Sequence, residues 1–151
     1  MDHPNNADDG KQQSIYQNIF ELSPTPTALF DPDGYCCLAN LVFFLQLGYE
    51  TNVNEQQAVH ISKIFASSQT YQEFERLLRD REILRRWETE IRTVTGENIP
   101  VLLSGRKVSF EGEGHTEVTF TNISTQKQLE QSIRRDHNRL SSLIDNLTAG
   151  L

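Results

Sequence analysis

The sequence predicts an α+β domain built on an antiparallel sheet. Three observations carry that class. The hydrophobic period changes from near 3.6 to 2 at Trp87, strand signals stand at both ends of the region with helices between them, and turn residues join three consecutive strands.

Residues 1–13 hold almost nothing apolar and read as a disordered arm. Ile15, Tyr16, Ile19, Phe20 and Leu22 then recur at helical spacing, and Ser23-Pro24-Thr25-Pro26 stops that helix. Residues 27–30 and 35–39 are short apolar runs around Asp31-Pro32-Asp33-Gly34, which predicts a β-hairpin. Residues 40–48 are apolar around most of their circumference and end in Gly, as a short buried helix does. A polar stretch covers 51–57, and 60–65 suits a single helical turn. Residues 70–86 carry Tyr71, Phe74, Leu77, Leu78, Ile83 and Leu84 and read as an amphipathic helix followed by a connection. Trp87, Thr89, Ile91 and Thr93 alternate with charged residues as a half-buried strand. Strands over 99–110 and 115–123 follow, joined by turns at 95–98 and 111–114. The last segment differs. Leu129, Ile133, Leu140, Leu143 and Leu147 fall on alternating spacings of four and three, with Asp136 in the remaining slot. That is a coiled-coil seam, or the buried stripe of a helix capping its own domain.

Composition bounds the function. The chain has 151 residues, 36% hydrophobic and 23% charged, enough for one modest core. No run approaches the roughly 18 apolar residues of a membrane span. The net charge of -7 disfavours nucleic-acid binding, which needs clustered cations. The residues after Met1 lack a basic and an apolar signal segment, and the two cysteines are adjacent, so a cytoplasmic setting is expected. Cys36 and Cys37 point to opposite sides of a strand and share no ligand. The basic run from Arg76 to Arg86 is interleaved with acids, as a solvated face is. No nucleophile–base pair, phosphate loop or metal spacing occurs, so no catalytic residue and no metal ligand is assigned.

The same elements, in this order, resemble a PAS sensor domain over about 14–125. The resemblance rests on Ile19-Phe20-Glu21-Leu22-Ser23-Pro24 at the opening helix, Phe30-Asp31-Pro32-Asp33-Gly34 at the first hairpin, and Ala39-Asn40 with Gly48-Tyr49 around the first internal helix. Trp87-Glu88-Thr89-Glu90, Thr95-Gly96 and Ile99-Pro100-Val101 are similar to its central strands. Asn122-Ile123-Ser124 stands where the family commonly has Asp-Ile-Thr, so the Asp is replaced.

The resemblance implies a curved five-stranded antiparallel sheet with short flanking helices, an N-terminal cap helix and a C-terminal coiled-coil exit helix. It turns Ala28, Phe30, Leu38, Thr89, Ile91, Val101, Leu103, Val118 and Phe120 inward. That wall is either a dry core or a pocket for a small apolar ligand. No cofactor is expected. Flavin relatives use a helical Cys with Asn and Gln side chains, and here Ile91, Val101 and Phe120 stand at the matching positions. Haem relatives place a His on the helix before the meander, where none occurs, leaving only the earlier His60.

The family also gives the tail a role. Residues 126–151 become a helical linker that couples the sensor to a further domain of the same polypeptide, with a homodimer formed through Leu129, Ile133, Leu140, Leu143 and Leu147 and through Ile15 and Ile19. The sequence from Leu143 to Leu151 resembles residues 19–29, as the start of a second PAS domain or as a chance likeness. His137 resembles a kinase phospho-acceptor, but Asn138 follows it where an acid is expected. The function implied is a cytoplasmic sensory domain of a two-component sensor histidine kinase. The alternatives are a ligand-free dimerisation module, a flavin or haem redox sensor, and the input domain of a diguanylate cyclase.

Overall fold

Two antiparallel units, a hairpin and a three-stranded meander, merge into one sheet because the first strand pairs with the last. A computed structural model of the chain describes residues 18, 20–49 and 59–149. Its elements are β1 (Thr27–Phe30), β2 (Cys36–Ala39), α1 (Leu41–Leu47), a 3-10 turn (Ile61–Ile64), α2 (Ser68–Arg81), β3 (Ile83–Arg92), β4 (Asn98–Phe110), β5 (Glu113–Asn122) and α3 (Ser124–Ala149). The strand order is β2-β1-β5-β4-β3, with every neighbouring pair antiparallel. The expected arm, Ile15, Ile19 and the polar stretch over 51–57 lie outside the described residues.

Local chemistry explains most boundaries. In the β1–β2 turn the Asp31 carboxylate accepts the amides of Asp33 and Tyr35 at 3.0 and 2.9 Å, and Gly34 takes a φ of 92°. Asn40 caps α1 by accepting the Phe43 amide at 3.0 Å, and Gly48, at φ 80°, closes it. Ser67 caps α2 through the Thr70 amide.

Two expectations need correction. The helix over 70–86 stops at Arg81. Glu82 turns to φ 62°, and the chain re-enters the sheet at Ile83. An extra residue is accommodated between Leu84, opposite Gly105, and Trp87, opposite Leu103. Arg86 sits at φ 52° and donates its amide to the Ser104 hydroxyl. The bulge lets Leu84 and Trp87 face the same side, a result of strand pairing that helical periodicity cannot register. A similar shift in the hairpin pairs Phe30 with Cys36 but Leu29 with Leu38. Leu38 therefore faces away from Phe30 and leaves the inward set, and it is only half-buried.

One core fills the concave side. Phe43 and Phe44 of α1, Ile64 and Phe65 around the 3-10 turn, and Phe74 and Leu78 of α2 are buried against the sheet. Five fully buried phenylalanines, Phe30, Phe43, Phe44, Phe74 and Phe120, are its largest side chains.

Candidate functional site

Seven of the nine inward residues, Ala28, Phe30, Ile91, Val101, Leu103, Val118 and Phe120, are buried in this single core. Thr89 pairs with Val101 on β4 but is only half-buried, beside a groove that Lys127 also lines. The wall is occupied by rings. Phe43 lies 6.5 Å from Phe30 and 5.7 Å from Phe120, centroid to centroid, while Phe74 lies 4.9 Å from Phe65 and stacks on Trp87 at 6.3 Å. Gly105 is what admits Phe74, because a Cβ there would stand 2.8 Å from its ring.

These residues do not fit a flavin. The ring edge needs several buried donors and acceptors, and this wall presents carbon apart from the Thr89 hydroxyl. Nor do they fit a haem held by His60. Its Nδ1 accepts the Ser62 amide at 3.2 Å, its Nε2 donates to the Asp33 carbonyl at 3.1 Å, and its ring lies against Gly34. Both nitrogens are committed to holding the β1–β2 turn. Among the described residues, no group of three or more His, Cys, Asp and Glu could hold a metal ion.

The cysteines sit on β2, not on a helix. Cys36 is buried and Cys37 exposed. Burial, with Cys37 and Asp31 nearby, pushes the Cys36 thiol up to about 12, and burial likewise raises Cys37. Neither is activated as a nucleophile. A thiol that resists ionisation in the fold stabilises it below the unfolded value and loses that contribution above it. Stability should therefore fall as pH rises from about 9 towards 12, by up to roughly 1.4 kcal/mol per unit from this group. Urea unfolding of Cys36→Ala across that range should show a shallower decline; an identical slope would remove the assignment.

Space opens where the rings stop. A cleft of about 550 Å³ lies between the β1–β2 turn, α2 and the ends of β4 and β5. Its lining includes Phe30, Phe74 and Leu78, with Lys107, Thr116, Arg79 and several carboxylates. Tyr71 at its edge is held protonated well above the usual range by burial and a hydrogen bond to Glu75. The cleft was not foreseen, since its parts are separated in sequence.

The second notable surface is α3. It begins directly after Ile123, with Asn122 accepting the Ser124 amide at 2.8 Å. The Ile123 amide donates to Pro100, and Lys127 pairs with Glu88 of β3. From residue 128 onward every described side chain is exposed. Leu129, Ile133, Leu140, Leu143 and Leu147 are 53–73% exposed, and Ile144, at 61%, joins them. The sequence reading missed Ile144 because it lies beside the seam. His137 is likewise exposed, and the last two residues of the suggested second domain, Gly150 and Leu151, lie outside the described residues.

Comparison with protein-family models matches the PAS fold over residues 14–122. The chain belongs to the PAS family. The PAS domain of a two-component sensor histidine kinase superposes with a TM-score of 0.62 at 10% identity, covering 75% of this chain and 97% of that one. The PAS domain of an HTR-like protein from Haloarcula marismortui gives 0.58 at 23% identity, covering 76% and 99%. A LOV protein from Rhodobacter sphaeroides gives 0.64 at 16%, covering 85% and 76%. At these identities the likeness is one of fold. No curated protein sequence matches the chain. PAS domains are sensory modules, and among the described residues of this one no helix is long and apolar enough to cross a membrane.

Proposed function

We propose that this PAS domain is the cytoplasmic receiving module of a sensor histidine kinase, acting as a homodimer whose paired α3 helices carry the signal to a downstream domain. The observation that supports it is the course of α3. A helix of 26 residues leaves the sheet with its apolar stripe in water. An isolated amphipathic helix gains most of its stability by covering such a stripe, and the spacing suits a second copy in parallel. The histidine kinase assignment leans on neighbours that carry that name. Coupling of about 1–3 kcal/mol between two arrangements of the helices suffices for regulation. Asp136, in a core slot, weakens pairing or sets its register.

A second reading, a dimerisation module that senses nothing, is favoured by the ring-filled inner wall. Sedimentation tests what both readings share. The intact chain should sediment as a dimer, and Ile133→Glu with Leu140→Glu should give monomers with an unchanged β-sheet circular dichroism signal. A wild-type monomer, or an unchanged dimer in the double variant, would refute the interface.

A further inference from the structure

The cleft beside α2 differs from the rest of the concave face in chemistry as well as in space. The inward row of β4 ends in Lys107 and that of β5 in Thr116, register partners joined from Nζ to Oγ1 at 3.0 Å. Thr116 is buried, and its hydroxyl hydrogen remains to be donated. Lys107 lies among carboxylates on two walls, yet it forms no ion pair among the described residues. Arg79 on α2 is alike in this.

The acids are not equivalent. Asp31 spends one oxygen on two backbone amides of the turn, and Glu75 lines the cleft beside Tyr71. Asp33 on the turn and Glu82 at the end of α2 are exposed. A ligand with only a negative charge would meet these carboxylates, and one with only a positive charge would meet Lys107 and Arg79. A ligand with both charges on one small head group answers each. Its remainder would meet Pro32 and Tyr71, accessible members of the lining, and the cleft volume is that of a small-molecule site.

We infer that this cleft binds a free α-amino acid with an apolar side chain. Its carboxylate takes Lys107 and the Thr116 hydroxyl, its ammonium group faces Asp33 and Glu82, and its side chain lies on Tyr71 and Pro32. This deepens the receiver reading and rests on it. Calorimetric titration of the full chain with L-leucine and L-phenylalanine tests the inference, beside N-acetyl-L-phenylalanine, which lacks the positive charge, and L-phenylalaninamide, which lacks the negative one. At least one amino acid should bind, and both derivatives should bind about tenfold or more weakly, about 1.4 kcal/mol. Lys107→Met should bring phenylalanine and its amide to similar affinity, a convergence that general damage does not produce. Thr116→Val supplies the same comparison if that variant folds poorly. No binding of either amino acid up to about 10 mM, or equal binding of the acetylated form, overturns the inference. Sedimentation of the same samples separates the two failures, since a dimer blind to amino acids loses only the ligand assignment.

Discussion

Phe74→Ala should lower the free energy of unfolding by about 3–5 kcal/mol and extend the cleft by an apolar recess that a benzene-sized molecule fills. Phe74 is 1% exposed and is the side chain through which α2 closes the concave face. Its ring is held between Phe65 and Trp87 and rests on Gly105. Gly105 has no side chain to enter the vacated volume, and Trp87 is held in a paired strand. The cost should thus include both lost transfer energy and an unrelaxed cavity. The recess is walled by Phe65 and Trp87, and apolar spaces of this size take up small aromatic molecules. Denaturant unfolding with and without benzene should show a lower midpoint for the variant and partial recovery only for the variant. A loss under about 1 kcal/mol, or no recovery, would mean that the rings are loosely packed and that the wall already has room.

That result would also locate the difference between this chain and a ligand-filled relative. With phenylalanines filling the inner wall, the cleft of about 550 Å³ lies at the end of the sheet, where Lys107 and Thr116 stand. A ligand bound there would meet the turn and α2, whose C-terminal residue leads through Glu82 directly into β3. Strand β3 in turn holds α3 through Glu88 and Lys127. That ion pair is exposed and worth little as stability.

How much of this was legible in the sequence depended on how local each feature is. The hairpin turn could be read because Asp31 and Gly34 satisfy it within a few residues. The meander could be read because alternation repeats over adjacent strands, and α1 because Asn40 and Gly48 cap it. The apolar stripe of α3 was legible for the same reason. What escaped depends on a partner strand. The extra residues at Cys37 and before Trp87 are fixed by pairing with β1 and β4, so Leu38 was turned the wrong way and residues 83–86 were given to a helix. The cleft escaped more completely, since it joins residues from 30 to 116. No spacing rule brings Lys107 and Glu82 together.

Asn40 marks the boundary between the two kinds of feature, and Asn40→Ala is expected to cost about 3–4 kcal/mol. As a cap of α1 alone it would be worth about 1 kcal/mol. The fold asks more of it. The side chain is fully buried, and its Oδ1 also accepts the Thr27 amide at 3.1 Å. Its Nδ2 donates to the carbonyls of Thr25 at 2.7 Å and Phe20 at 3.2 Å. One amide thereby ties the opening segment, the first strand and the first internal helix. Alanine would leave the Thr27 and Phe43 amides without that acceptor, and each buried orphan carries a desolvation penalty of about 1–3 kcal/mol. Asn40→Asp keeps the acceptor but removes the donor and sets a charge among carbonyl oxygens, so it should rescue little at neutral pH. Urea unfolding gives the totals. Hydrogen exchange at the Thr27 and Phe43 amides shows whether both are released together. If the alanine variant lost only the cap's worth and Thr27 stayed protected, the opening segment would be held by Phe20 and Leu29 burial rather than by this side chain.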